Sequence, residues 1–270
     1  MELSSAASLF DTLGHPDRLA VLRLLVRRLP GGMRPREITE VTGLRPSTLA
    51  AHLGGLERAG LVSSRRAGRA VLYRAETDRI GGLASYVALD CARGRVTVPQ
   101  PSREGPIMAK TYNVLFICTG NSARSIMAEA ILAKEGAGKF NALSAGTHPS
   151  PEVNPIALAV LQHAGHDIDS LRSKSVAEFQ GPGAPRLDFV FTVCDRAATE
   201  DCPPWEGQPV TAHWGLPDPV KVEGTAAEKA HAFNSVYSAM RRRIMAFTAL
   251  PFETLDRISL QAQLDAIATE

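Results

Sequence analysis

One short stretch of the chain has residue types and spacing that could carry covalent chemistry. Cys118 follows the apolar run 114–117, which predicts a buried strand, and Arg124 stands six positions later, where a helix-forming run opens. A helix N-terminus offers free backbone N–H groups and a dipole that favours an anion. A cysteine beside such a terminus and an arginine can lose its proton near neutral pH. The stretch therefore predicts a thiolate nucleophile in a pocket for a tetrahedral oxyanion.

The loop between Cys118 and Arg124 has the composition of an oxyanion cradle. The guanidinium of Arg124 matches two oxygens of a tetrahedral anion. Gly120 allows a tight turn, Asn121 tolerates a left-handed conformation, and Ser125 can donate its hydroxyl to the cysteine sulfur. The alternative is a buried strand-end cysteine beside a surface arginine. We expect the whole loop to bind substrate, through Thr119, Gly120, Asn121, Ser122, Ala123 and Arg124.

The elements that position this loop predict an α/β unit. Strand-like and helix-like patterns alternate along the rest of this half of the chain, at 140–147, 154–164, 188–193, 210–214 and 226–247. Strands that alternate with helices form a parallel sheet, with the active site at the carboxyl ends of the strands. Cys118 and Cys194 each follow a strand, so both can face one crevice.

The loop sequence Cys118-Thr-Gly-Asn-Ser-Ala-Arg-Ser resembles that of the low-molecular-weight protein tyrosine phosphatases and of the arsenate reductases built on the same fold. The resemblance covers about residues 110–250 and implies a four-stranded parallel sheet with helices on both faces. In the phosphatases an aromatic residue usually follows the Asp-Pro of the general acid, whereas this chain has Val220. The runs that begin at Thr192 and Thr211 resemble the arsenate reductases instead.

That resemblance implies a catalytic set and a mechanism. The thiolate of Cys118 attacks arsenic, Arg124 holds the oxygens, and Asp218 protonates the departing oxygen. Cys194 then attacks the Cys118 sulfur and arsenite leaves, after which Cys202 attacks Cys194. The alternatives are that Cys194 is a buried strand-end thiol, that Cys202 is a bystander, and that Asp218 only caps a helix or loop.

The resemblance also implies an external reductant and no tightly bound cofactor. Thioredoxin would reduce the final disulfide, although some relatives use a small thiol and a glutaredoxin-like partner. We predict no metal site. A weaker alternative is that Asn121, Glu129 and Ser144 resemble a potassium-binding set of some relatives.

The first part of the chain has a different pattern. It predicts helices at 4–14, 17–28, 35–41, 46–60 and 78–92, and a hairpin around Ala67-Gly68 before the last of them. A short helix, a glycine-containing turn and a second helix form a helix-turn-helix, and the hairpin forms its wing. The whole stretch resembles the ArsR family of winged-helix repressors, and residues between His52 and Tyr73 carry that resemblance. That family implies a homodimer joined through its outer helices.

This unit is expected to bind operator DNA. The predicted contacts lie on the recognition helix and in the wing, at Arg45, Ser47, Thr48, His52, Arg65, Arg66 and Arg69. The alternatives are that the wing arginines are only solvated and that His52 packs or caps. Cys91 is the one cysteine before the linker, too few sulfurs to bind trivalent arsenic, so we interpret it as a packing residue or the remnant of a cluster.

Composition supports a multidomain chain. Of 270 residues, the first 107 hold 16 arginines, no lysine and 10 acidic residues, whereas the rest hold 14 basic and 18 acidic residues. A basic half suits a nucleic-acid partner. We predict an α+β winged helix-turn-helix domain at 1–95, a proline-containing linker at 96–109, an α/β reductase-like domain at 110–250 and a C-terminal extension at 251–270. Four cysteines in a chain of this size favour the cytoplasm, and no membrane segment is predicted.

The sequence therefore predicts an arsenate reductase fused to an arsenic-responsive transcriptional regulator domain. Two other functions stay open at this point. One is a low-molecular-weight protein tyrosine phosphatase with a DNA-binding arm, and the other is a non-catalytic repressor that senses an oxyanion.

Overall fold

A computed structural model describes residues 1–68, 70–93, 95, 111–181, 183–200, 205, 207–252 and 254–269. Contacts divide the chain into two compact units, Met1–Ser102 and Arg103–Glu270, and each is described by itself. The predicted linker at 96–109 lies outside the described residues.

The N-terminal unit is a winged helix-turn-helix. Its elements in chain order are α1 (Leu3–Leu13), α2 (Pro16–Arg27), α3 (Pro35–Thr42), α4 (Pro46–Arg58), β1 (Val62–Ala67), β2 (Ala70–Ala75) and α5 (Thr77–Ser85), which continues as a π-helical turn (Tyr86–Cys91). Proline stands at the first position of α2, α3 and α4, where its missing N–H costs no hydrogen bond. Gly43, in the left-handed conformation, ends α3 and makes the turn.

The core of this unit lies under α4. Leu49, Leu53 and Leu56 recur at helical spacing on one side of α4 and are buried. The strands β1 and β2 pair antiparallel from Val62 opposite Ala75 to Ala67 opposite Ala70. The helix-turn-helix and the wing are therefore confirmed as predicted.

The C-terminal unit is built on a four-stranded parallel sheet of order β4-β3-β5-β6. Its strands and helices are β3 (Tyr112–Cys118), α6 (Arg124–Glu135), β4 (Phe140–Gly146), α7 (Pro155–His163), β5 (Phe189–Thr192), α8 (Asp195–Thr199), β6 (Val210–His213), α9 (Ala226–Thr248) and α10 (Arg257–Ile267). Short 3₁₀ turns occupy Val176–Phe179 and Pro219–Lys221.

The position of β3 follows from its composition. Its residues from Val114 to Cys118 are all buried, as expected for an interior strand of a parallel sheet. Stacked aromatic rings continue the core outward, with Phe116 and Phe191 centred 5.4 Å apart and Phe191 and Trp214 centred 4.1 Å apart. The carboxyl end of β3, where Cys118 lies, is therefore held in the middle of the sheet.

Two helices were not predicted. One is the five-residue α8, which directly follows Cys194. The other is α10, in the C-terminal extension, which packs against β6. The indole N–H of Trp214 donates to the carbonyl oxygen of Leu264 (3.1 Å), and the amide of Gln261 donates to that of Thr211 (2.9 Å). The extension thus covers the edge strand of the sheet.

Candidate active site

The loop after β3 is fastened along its outer side. The carbonyl oxygens of its residues accept hydrogen bonds of 2.8–3.1 Å from the segment after β4, namely Cys118 from Thr147, Thr119 from His148, Gly120 from Ser150 and Ser122 from Asn154. With these carbonyl oxygens bonded, the backbone N–H groups of the loop, apart from that of Asn121, which donates to Cys118, can serve a ligand. That arrangement suits an anion.

Glycine is required where the loop passes the end of β4. A Cβ atom on Gly146 would lie 2.7 Å from the carbonyl oxygen of Thr119, and one on Gly120 would lie 2.9 Å from the Ser150 hydroxyl oxygen. Gly146 was missed by the sequence reasoning. Its position as the last residue of a strand that pairs in register with Cys118 was the signal that could have revealed it.

The sulfur of Cys118 lies within hydrogen-bond distance of two groups. The backbone N–H of Asn121 donates to it at 3.1 Å, and the Ser125 hydroxyl lies 2.9 Å from it. Asn121 is buried in the left-handed conformation at φ +43°. The Asn121 side-chain amide donates to the Ser125 oxygen (2.8 Å), and the Ser125 hydroxyl can donate to the sulfur when Cys118 is a thiolate. These contacts bring Asn121 and Ser125 to Cys118 as predicted from the loop sequence.

The pKa of Cys118 departs from the expectation that the thiol would be acidic. Burial raises the pKa of this thiol above its ordinary value, against the smaller lowering effects of the Ser125 hydrogen bond and the Arg124 charge. Arg124 is itself engaged, because its guanidinium pairs with Asp218 at 2.8 Å and donates to the carbonyl oxygen of Leu216 at 3.1 Å. The expected lowering of the thiol pKa is therefore not found, because desolvation of the buried sulfur raises it by more than the Ser125 hydrogen bond and the Arg124 charge lower it.

Asp218 caps a turn, which is the alternative role that the sequence left open for it, and it also pairs with Arg124. One carboxylate oxygen accepts from Arg124, and the other accepts from the backbone N–H of Val220 at 3.2 Å and caps the 3₁₀ turn. The carboxylate is thus fixed on the rim of the loop beside the guanidinium. This position is compatible with proton transfer to an oxygen bound by Arg124.

Cys194 lies against the same loop. It is buried, it stands at the N-cap of α8, and its sulfur accepts from the N–H of Ala197 at 3.4 Å. The sulfur is 3.5 Å from the hydroxyl oxygen of Thr119, the residue after Cys118. The strand ends therefore place Cys118 and Cys194 at one crevice, whereas Cys202 lies outside the described residues.

A chain of side chains fastens the start of α8 to the sheet. The Thr192 hydroxyl lies 2.9 Å from one ring nitrogen of His213, and the other ring nitrogen lies 3.0 Å from the Asp195 carboxylate. Since Asp195 directly follows Cys194, this chain determines where the second cysteine sits.

A buried ionic cluster supports Asn121 from below. The ammonium of Lys174 binds both carboxylate oxygens of Glu129 at 2.8 and 2.9 Å, and the Ser144 hydroxyl donates to the same carboxylate at 2.6 Å. Asn121 donates to Ser144 at 2.8 Å and accepts from the Lys174 backbone N–H at 2.6 Å. Sequence reasoning had associated Asn121, Glu129 and Ser144 but missed Lys174, which a sequence-distant loop delivers.

In the N-terminal unit, most predicted DNA contacts lie at the surface. Arg45 and Ser47 are exposed at the start of α4, and Thr48 is half-buried. Arg65 and Arg66 are exposed on β1, while Arg69 lies outside the described residues.

His52 differs from the other predicted contacts because it is buried. One ring nitrogen lies 3.6 Å from an Asp17 carboxylate oxygen, and the ring centre lies 4.6 Å from that of His15. These contacts tie α4 to the start of α2. The geometry supports the packing alternative for His52.

Comparisons with known proteins agree with this description. The family model for low molecular weight phosphotyrosine protein phosphatase matches residues 113–259, and that for a helix-turn-helix domain matches residues 13–65. An arsenate reductase of Halalkalibacterium halodurans is 35% identical over 134 residues, which are 50% of this chain and 93% of that protein. A glutaredoxin arsenate reductase of Synechocystis sp. is 32% identical over 131 residues, covering 48% and 92%. An ArsR-like transcriptional regulator from Rhodococcus sp. RHA1 covers 34% of this chain and 84% of that one, with 24% identity and a TM-score of 0.31.

The chain belongs to the low molecular weight phosphotyrosine protein phosphatase family, and within it to the arsenate reductases, with a helix-turn-helix domain joined ahead of that unit. Among the described helices, none is both long and apolar enough to span a membrane.

Proposed function

We propose that this chain reduces arsenate to arsenite through a cysteine relay, and that its N-terminal unit regulates transcription at operator DNA. One observation carries the enzymatic part. Two strand-end cysteines meet at a single loop, with the Cys194 sulfur 3.5 Å from the neighbour of Cys118, and Arg124 stands beside them. A phosphatase needs only the first cysteine, so the second favours the reductase.

Substrate binding begins with an exchange of partners at Arg124. An arsenate anion entering the loop takes the guanidinium from Asp218 and binds backbone N–H groups of residues 119–124, apart from that of Asn121, which donates to the Cys118 sulfur. Burial raises the pKa of the Cys118 thiol, so the thiolate forms when the thiol proton is transferred, and an oxygen of the bound arsenate can accept that proton. The thiolate is then held by Asn121 and Ser125.

The chemistry follows as three displacements. The Cys118 sulfur bonds to arsenic(V), and one oxygen leaves as water after protonation by Asp218. The Cys194 thiolate then attacks the Cys118 sulfur, and the electron pair of the sulfur–arsenic bond stays on arsenic, which departs as arsenite(III). Finally Cys202 attacks Cys194, so Cys118 is released as a thiol and a Cys194–Cys202 disulfide remains.

An external dithiol must return two electrons to that disulfide. We propose a thioredoxin-type protein, with glutaredoxin or a small thiol as the alternative suggested by the Synechocystis relative. A relay that must begin each cycle with reduced cysteines suits the cytoplasm. We propose no tightly bound cofactor.

The test is arsenate-dependent oxidation of NADPH by the full chain, with the thioredoxin and glutaredoxin systems supplied separately. We expect turnover with one of the two systems, and loss of turnover in Cys118→Ser, Cys194→Ser and Cys202→Ser but not in Cys91→Ser. Steady hydrolysis of para-nitrophenyl phosphate without reductant, and no arsenate turnover, would instead select the phosphatase.

The regulatory part is supported by exposed basic and apolar side chains. Arg45, Ser47, Arg65 and Arg66 are exposed on α4 and the wing, where phosphates and base edges would be met. Large apolar side chains are also exposed on the outer elements of this unit, at Leu3, Phe10, Val87 and Leu89. These suit the homodimer that the ArsR-like pattern implies.

Operator binding can be tested by fluorescence anisotropy with promoter DNA at several salt concentrations. We expect an affinity that falls steeply with salt, and a smaller salt slope for Arg65→Ala with Arg66→Ala. Sedimentation would give the oligomeric state. No DNA binding at low salt would leave the enzyme with an inactive arm.

A further inference from the structure

We propose that Lys174 is a built-in counter-cation that holds the catalytic loop in its working conformation and makes it independent of potassium. The proposal rests on Cys118 being the reactive thiol of the proposed function. Its test reads the reactivity of Cys118 toward an alkylating reagent, so it can fail while arsenate reduction stands.

The potassium set suggested by Asn121, Glu129 and Ser144 does not fit a metal ion in this chain. The ammonium of Lys174 already binds both oxygens of the Glu129 carboxylate, at 2.8 and 2.9 Å. The side chains of Lys174 and Glu129 are only 8% and 13% exposed. A second cation beside one carboxylate in so dry a place would repel the ammonium. The positive charge comes from the chain itself.

Lys174 also acts through its backbone. Its N–H donates to the side-chain oxygen of Asn121 at 2.6 Å, which leaves the Asn121 amide nitrogen as the donor to both Ser144 and Ser125. The orientation of that amide is thereby determined. The Lys174 carbonyl oxygen accepts from the N–H of Gly146, which secures the segment to the end of β4.

The hydrogen bonds then run in one direction from Asn121. Toward the ionic cluster, Asn121 donates to Ser144, whose hydroxyl donates to Glu129. Toward the catalytic sulfur, Asn121 donates to Ser125, whose hydroxyl can donate to the Cys118 thiolate. The carboxylate and the sulfur are the two final acceptors of one network. Lys174 neutralises the first, so the second can carry charge without a neighbouring uncompensated anion.

Lys174 is therefore a positioning residue rather than a catalytic one. It touches neither sulfur nor arsenate, and its influence passes through Glu129 and Asn121. If the role of Lys174 is to supply a positive charge, an added monovalent cation should restore the function of a variant that lacks the ammonium.

The experiment measures the rate of Cys118 carbamidomethylation by iodoacetamide, followed by mass spectrometry, in KCl and in choline chloride of equal ionic strength. The full chain is compared with Lys174→Met, which keeps the aliphatic stem but removes the charge. Lys134→Met is the matched control, because Lys134 binds the carbonyl oxygens of Ala164 and Gly165 at the surface. The thermal midpoint is recorded in each salt.

We expect the wild type and Lys134→Met to react equally in both salts. Lys174→Met should react about tenfold more slowly in choline chloride, the equivalent of one pKa unit, and KCl should restore the rate in a saturable way. Adding Glu129→Gln to Lys174→Met removes the carboxylate as well, and the potassium response should disappear.

Three results would overturn the proposal. The first is a saturable potassium effect on the wild type, which needs no variant to observe. The second is identical behaviour of Lys174→Met and Lys134→Met. The third is a loss in Lys174→Met, including failure to fold, that KCl does not reverse, because a cation could then not fill the role of the lysine.

Discussion

The two strand ends that carry Cys118 and Cys194 look alike and are built differently. Both cysteines are buried, and both sulfurs accept a backbone N–H from a residue three positions later, Asn121 at 3.1 Å and Ala197 at 3.4 Å. The first sulfur is followed by a loop fastened through four carbonyls and a buried polar network. The second is followed by the five-residue helix α8, held at its start by His213.

This difference matches two mechanical requirements of the proposed relay. The nucleophile has to hold a fixed geometry around an anion, because misplaced donors lose most of their value. The second cysteine has to approach the first and then deliver its disulfide toward the surface. Because α8 has only five residues, its local opening breaks few helical hydrogen bonds. From this comparison we expect the strand end at Cys118 to stay rigid while charge develops, and the strand end at Cys194 to open locally during the relay.

The largest effect is expected from removing the travelling sulfur. Cys194→Ser should abolish multiple turnovers, with a loss of about 10³-fold or more, because arsenite release needs this thiolate. Cys118 alkylation should stay near the wild-type rate. The amount of arsenite formed per enzyme in stopped assays would check this prediction. Full multiple turnover in Cys194→Ser would show that the second cysteine does not have the role proposed for it.

The next effect is on the fixed side. Ser125→Ala removes the hydroxyl donor to the Cys118 sulfur, and a hydrogen bond to a charged group contributes about 1.5–3 kcal/mol. Cys118 alkylation at neutral pH should slow by about 10- to 100-fold. Ser235→Ala is the control, since that hydroxyl donates to the His231 carbonyl oxygen within α9. Equal rates in both variants would show that the N–H of Asn121 is enough to stabilise the Cys118 thiolate.

The pH dependence sharpens the same side of the comparison. Because burial raises the pKa of Cys118 in the fold, the protonated thiol is favoured there, and this contribution to stability is complete below the unfolded value of about 8.5. It is lost as the pH rises through the higher folded pKa. The thermal stability of the wild type should therefore fall more steeply with pH than that of Cys118→Ala once the pH exceeds the unfolded value of about 8.5. Parallel curves would mean that the burial effect is absent.

The smallest effect should come from the strand end that carries Cys194. His213→Asn removes the contact with Asp195 and should lower the free energy of unfolding by about 1 kcal/mol. Hydrogen exchange should quicken in α8, while Cys118 alkylation stays unchanged. If exchange quickens equally in residues 119–123, the two strand ends are not independent.

Much of the fold could be predicted from hydrophobic periodicity and from the prolines and glycines that mark the ends of helices. Proline at the start of α2, α3 and α4 and the glycine after α3 mark the helix-turn-helix, and alternating strands and helices mark the parallel sheet. These signals are local, so they survive without tertiary information. The helix α10 was missed although Asp256 caps its start and Leu260, Leu264 and Ile267 recur at helical spacing, and its packing against Trp214 could not be predicted from these local signals.

The sequence by itself determined the loop residues that surround Cys118, because a strand, a tight turn and a helix N-terminus are short-range features. Only the tertiary structure decided the state of those residues. Desolvation raised the pKa of the thiol, Asp218 occupied Arg124, and Lys174 reached Glu129 from 45 positions away. Burial and long-range charge pairing depend on which distant segments the fold brings together, and no local pattern records them.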